Sequence, residues 1–192
     1  MTTELTKQYA AVAEALNLKN VHEVPVITKV TVTTGVGKNR DNKSYLESVK
    51  RDLALVTGQV PQVRRARLAI AGFNVRQDNI VGYRATLRGK RATDFTKRFV
   101  SVTLPRVRDF RGISLNSLDG QGNLSVGIVE QLAFPEILPE KTDIVFGIEV
   151  TFSTSAKTKQ DAEVLFRALG FPLTQADEKR EEATVDIRQG KK

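Results

Sequence analysis

Apolar residues recur along this chain with two distinct periods, and the change from one to the other sets out the elements. Leu5, Tyr9, Val12 and Leu16 fall at three- and four-residue steps, which predicts an amphipathic helix over 5–18. Beyond Pro25 the period becomes two: Val26, Val30 and Val32 alternate with Lys29, Thr31 and Thr33, as in a strand buried on one face. Gly35-Val36-Gly37 closes that strand. A second helix is expected over 42–57, with Leu46, Val49, Leu53 and Val56 inward and Gly58 as its stop. A polar stretch, 59–67, leads into the apolar Leu68-Ala69-Ile70-Ala71-Gly72-Phe73, and 82–89 reads as another strand. A third helix is expected over 92–104, with Phe95, Phe99 and Val102 on its apolar face and Pro105 ending it. Beyond a glycine-punctuated loop at 119–122, strands are expected over 123–131 and 144–153. A last helix, 159–169, stops at Gly170 and Pro172. Residues 174–192 carry only Val185 and Ile187 as bulky aliphatics and read as a charged, disordered tail. Strands and helices intersperse without regular βαβ alternation. The expected fold is α+β: a single domain over 1–173 with an antiparallel sheet, helices packed on one face and the other face open to a partner.

Charge changes this picture. The 192 residues hold 30 Lys and Arg against 22 Asp and Glu, a net +8, and the excess is concentrated. Residues 60–111 contain thirteen basic side chains, mostly Arg, and three Asp, so this stretch carries +10 and the remainder −2. A concentrated positive field draws a polyanion and releases its condensed counterions, and Arg suits forked contacts to phosphate. Thr31 and Thr33 share one side of their strand, and Thr86 shares a side with Arg84 and Arg88. Hydroxyls beside arginines on a flat sheet suit RNA, the hydroxyls reaching base edges and 2′-OH groups while the arginines hold phosphates. Threonines serve strand propensity equally well. Aromatic residues make up 6%, too few for a platform on which successive bases stack.

Chemistry of other kinds finds little support. There is no cysteine, and His22 is the one histidine, so thiol chemistry and histidine-based metal or acid–base sites are not expected. Arg40 stands where a dinucleotide-binding fingerprint beginning at Gly35 would need a glycine. Arg91 after Gly89-Lys90 spoils a phosphate loop, and Asp119 lacks the alternating oxygen ligands of a calcium loop. No cofactor, metal or catalytic residue is expected. An N-terminus without a basic start or apolar signal core, and the lack of an apolar run near 18–20 residues, lead to an expected cytoplasmic location and no membrane partner. A phosphate-handling enzyme using the arginine-rich stretch is the alternative, and the missing acid–base pair tells against it.

Several motifs then combine in order. Gly35-Val36-Gly37, Ile70-Ala71-Gly72-Phe73, Thr86-Leu87-Arg88-Gly89 and Leu104-Pro105-Arg106-Val107-Arg108-Asp109-Phe110-Arg111-Gly112 strongly resemble the universal large-subunit ribosomal protein number five family, of bacterial type. So do Asp119-Gly120-Gln121-Gly122-Asn123, Gly127 with Glu130-Gln131, Phe134-Pro135-Glu136 and Leu169-Gly170-Phe171-Pro172. The resemblance spans about 5–173. It implies a structural constituent of the large subunit that binds 5S rRNA and helps attach it in the central protuberance. By the same resemblance, Thr33, Gln59 and Thr86 would contact the RNA, with Arg65 and Arg67 in the basic stretch; Arg88 joins them as a phosphate contact. The loop Val75-Arg76-Gln77-Asp78-Asn79-Ile80-Val81-Gly82 would approach P-site tRNA. Large-subunit rRNA, neighbouring large-subunit proteins and a small-subunit head protein, met as an intersubunit bridge, are the further implied partners.

Overall fold

The computed structural model describes residues 3–142 and 144–174. In chain order its elements are α1 (Thr3–Ala15), β1 (Ile27–Gly35), α2 (Lys43–Thr57), β2 (Gln62–Arg65), β3 (Ile80–Arg88), α3 (Gly89–Arg98), α4 (Leu104–Arg106), β4 (Ile113–Ser114), β5 (Leu124–Ile128), β6 (Ile148–Thr154), α5 (Lys159–Ala168) and β7 (Leu173–Thr174), with short 3-10 turns between them. The class is the expected α+β. Two compact units form: one from 28–110 with 125–152, the other from the described parts of 1–27, 111–124 and 153–192.

The first unit is built on a five-stranded sheet in the order β2-β3-β1-β6-β5. β1 and β2 each run antiparallel to β3, with Thr31 opposite Thr86 and Gln62 opposite Arg84. Side chains alternate across a strand, so Val30, Val32, Tyr83, Ala85 and Leu87, all buried, face one way. α2 and α3 pack against β3 on that side. α2 forms where its pattern demands: the Asn42 side chain accepts a hydrogen bond from the Tyr45 N–H, Leu46, Val49, Leu53 and Val56 are buried, and Gly58 adopts a left-handed φ of 63° to end the helix. Phe99, 1% exposed, lies between Phe95, Phe134 and Phe152, with ring centroids at 6.0, 6.3 and 5.3 Å.

Three elements depart from the sequence expectation. The third helix begins at Gly89 and runs through Pro105, because residues 99–103 form a π turn that leads into α4. A proline ring crowds the carbonyl four residues back and offers no N–H; the wider turn, in which the Leu104 N–H donates to the Phe99 carbonyl, accommodates both. Val102, expected inward, is consequently 37% exposed. The polar stretch 59–67 contains β2, an edge strand with little to bury. The apolar run at 68–73 is not core: Leu68 and Phe73 are 75% and 73% exposed on a hairpin between β2 and β3.

In the second unit α1 packs against α5, with Val12, Val24 and Leu165 buried between Tyr9, Leu16, Val164 and Leu169. The Phe166 and Phe171 rings meet edge to face at 5.1 Å, and β4 pairs in parallel with β7. Thr174, expected as the first residue of the tail, thus pairs in β7; the remainder of that expectation, 175–192, lies outside the described residues.

Candidate nucleic-acid interface

The antiparallel register decides which polar residues share the sheet's other face. Lys29 stands opposite Arg88, Thr31 opposite Thr86, Thr33 opposite Arg84, and Gln62 and Arg64 opposite Arg84 and Gly82. Directly opposed residues project to the same side, so all of these lie on the face away from the buried Val30, Val32, Ala85 and Leu87. The same face continues onto β6 and β5. The Thr33 hydroxyl donates to Glu149 Oε2 at 3.3 Å, and the hydroxyls of Ser125 and Thr151 share a hydrogen bond of 3.1 Å. Arginines therefore occupy β2 and β3 and Lys29 the start of β1, while hydroxyls and a carboxylate dominate the rest of β1, β6 and β5.

At one end of this face lies an open groove of about 700 Å³, lined by Arg64, Arg84, Thr31, Thr33 and Glu149 and by four glycines, Gly35, Gly82, Gly127 and Gly147. Gly82 is required by the sheet itself, since a Cβ there would sit 2.7 Å from the Thr34 carbonyl oxygen. Arg84 Nε is buried and makes no hydrogen bond among the described residues. A buried donor without a partner is costly.

The arginines sort by what they already hold. Arg98 pairs with Glu136 at 2.7 Å, donates to the Val56 carbonyl and lies over the Phe95 ring, so it braces the core. Arg40 donates to the carbonyls of Gly37 and Asn74, fixing the hairpin base. Arg65 donates to the Asp78 carbonyl at 3.1 Å, which commits part of its guanidinium to the same hairpin. Arg64, Arg67, Arg76, Arg88 and Arg91 are exposed.

Of the expected RNA-contacting residues, Thr33, Thr86 and Arg88 share the open face. Gln59 sits in the turn between α2 and β2, its carbonyl accepting from the Thr57 hydroxyl, and Arg67 stands on the hairpin; neither lines the groove. The segment 75–82 divides: Val75 bridges Ile70, Arg76 to Asn79 make the hairpin's return with Asp78 at a φ of 66°, and Ile80, Val81 and Gly82 already belong to β3. The sequence reading missed Glu149, Arg64 and Gln62 as members of this surface. The period-two run Glu149, Thr151, Ser153 was the available signal for β6, whereas β2 offered only Val63 as a half-buried position. Tyr83, on the opposite side, has its hydroxyl pKa raised by burial, with Glu47 adding to the effect. Among the described residues no helix is long and apolar enough to cross a membrane.

Comparison with known proteins supplies the family. Residues 20–76 match the family described as Ribosomal protein L5, and residues 80–173 match the ribosomal L5P family C-terminus. The chain is 50% identical over 160 residues to the large ribosomal subunit protein uL5 of a Synechocystis species, covering 83% of this chain and 89% of that one. It is 47% identical over 163 residues to the protein of the same name from Rubrobacter xylanophilus, covering 85% and 91%. Both family segments are matched in order, one carrying β1 and β2 and the other β3 through β7. The chain belongs to the ribosomal protein L5 family, and is a structural, non-enzymatic constituent of the large subunit of the cytoplasmic ribosome.

Proposed function

We propose that the chain binds 5S rRNA through the open face of its sheet and helps attach that RNA in the central protuberance. The observation that carries this reading is the row Arg84, Thr33 and Glu149 across three strands, with Arg64, Lys29 and Arg88 on the same face. Phosphates suit the exposed arginines, and the threonine hydroxyls suit base edges and 2′-OH groups. Gln59 and Arg67 extend the contact beyond the sheet edge, and Arg65 does so with the N–H groups it has not given to Asp78. The return of the hairpin, 75–82, approaches P-site tRNA; with Arg76 its only formal cation and Asp78 its only acid it is neutral, which suits a transient partner better than a permanent one. A small-subunit head protein, the large-subunit rRNA and neighbouring large-subunit proteins complete the set of partners.

Binding to purified 5S rRNA across a salt series tests the reading. Arg88→Ala should weaken binding and reduce the slope of log K against log salt by about one. Thr86→Ala and Gln59→Ala should cost about 1–3 kcal/mol each, the range for base-edge contacts, with the slope unchanged. Folded variants that bind as the parent protein does would remove these residues from the interface. Arg76→Glu should leave 5S rRNA binding intact and speed tRNA dissociation from the P site of assembled ribosomes; unchanged retention would separate the hairpin from tRNA.

A further inference from the structure

Glu149 is out of place on a surface meant only for phosphate. Among the described strand positions of the open face it is the one acid, and it is exposed, so solvation alone would let it repel a polyanion. A carboxylate accepts hydrogen bonds and donates none; it is useful to RNA only where a base presents N–H groups. Thr33, between Glu149 and Arg84 in the sheet, spends its hydroxyl proton on Glu149 and is left as an acceptor too. Arg84, which lines the same groove, is the complement, a guanidinium that donates and cannot accept. Glu149 and Arg84 stand two strands apart, about 10 Å between backbones, and both line the groove.

That order, donor then acceptors, matches one nucleobase edge. The Watson–Crick edge of guanine presents the O6 acceptor followed by N1–H and the N2 amino group, two adjacent donors for one carboxylate. Adenine, cytosine and uracil each present a single donor group on that edge, so none offers a carboxylate two adjacent donors. In a paired stem this edge is occupied, so the base must come from a loop or bulge, the elements in which bases are splayed out for proteins to read. The groove carries no side chain at Gly35 and Gly127, which leaves room for a ring. Gly35 and Gly127 have open space where a Cβ would stand, and neither has a positive φ, so neither packing nor backbone geometry within the chain demands glycine there. Glycine weakens a strand, and in a strand it commonly marks the close approach of a ligand. We infer that the groove seats one unpaired guanine of the bound RNA, with Glu149 accepting from N1–H and the N2 amino group and Arg84 donating to O6; the inference rests on the open-face reading above.

Inosine lacks the N2 amino group and keeps the rest of the edge. The test is binding of 5S rRNA carrying inosine at single guanine positions, to the parent protein and to Glu149→Gln. The parent should lose roughly tenfold in affinity at one unpaired guanine. Glu149→Gln should bind the unmodified RNA roughly tenfold more weakly and lose nothing further from inosine at that position. Identical inosine profiles for the two proteins, or unmodified RNA bound as well or better by Glu149→Gln, would overturn the guanine assignment. Arg88→Ala and Thr86→Ala, run alongside, separate the two levels. If they weaken binding while Glu149→Gln does not, the guanine site alone fails; if they too bind normally, the open-face reading fails with it.

Discussion

Asp119 shows how one side chain can fold a loop that glycines would otherwise leave loose. Its carboxylate accepts from the backbone N–H groups of Gln121 and Asn123 and from the Asn123 side-chain amide, at 2.9, 2.7 and 2.7 Å. Burial pulls its pKa upward, but the hydrogen bonds from Asn123 and Gln121 outweigh that pull and hold it below the ordinary 3.8. A carboxyl whose pKa is lower in the folded chain adds stability above the unfolded value, and that stability is lost as pH falls through the folded one. The stability advantage over Asp119→Asn should therefore be full near neutral pH and shrink as pH drops below about 3.8; denaturant titrations at several pH values would show it, and a difference constant with pH would contradict it. Gln131 plays the comparable role in a buried setting. It is 0% exposed, donates to the Ile144 carbonyl and accepts from the Phe146 N–H at 2.8 Å, closing the connection between β5 and β6. Gln131→Leu keeps the volume but orphans both backbone groups, and urea denaturation should register a loss of about 1–3 kcal/mol for each.

Among the elements, the hairpin between β2 and β3 carries the most exposed apolar surface, with Leu68, Ile70 and Phe73 all at least half exposed. Few apolar contacts hold it; the Ile70–Val75 bridge and Arg40's hydrogen bonds do so instead. Arg40→Ala should accelerate amide hydrogen exchange at Ile70 and Asn74 while leaving the melting temperature nearly unchanged, since the sheet and its helices do not depend on that clamp. A general loss of protection would mean that Arg40 stabilises the whole unit. How far each element could be read follows from how much it buries. α2 was legible to within a residue because cap, apolar stripe and terminal glycine agreed. β2 was not, because an edge strand with one half-buried residue leaves no periodic trace, and the run at 68–73 misled because its apolar residues project from a hairpin. Pro105 looks like a stop in the sequence because a π turn, which lets the helix pass it, has no recognisable composition.

At the scale of the whole chain, the +10 stretch and the parity of Thr31, Thr33, Arg84, Thr86 and Arg88 in the sequence already point to the face proposed here to meet RNA. What the sequence hid was non-local: Glu149 reaches Thr33 across 116 residues, by the placement of β6 beside β1, which no short-range pattern encodes. The sorting of arginines was hidden likewise, since Arg98 and Arg88 look alike until Glu136 and the Val56 carbonyl are brought to one of them. The account stands on the claim that one face of this sheet, and not the helical side, meets 5S rRNA. Charge reversal on each side tests it most directly, at physiological salt, where charges separated by more than about 8 Å are largely screened. Arg64→Glu with Arg88→Glu alters the open face, and Lys50→Glu alters the exposed surface of α2. The open-face pair should lower affinity for purified 5S rRNA more than tenfold while Lys50→Glu changes it little; equal losses, or a larger loss from Lys50→Glu, would contradict the account.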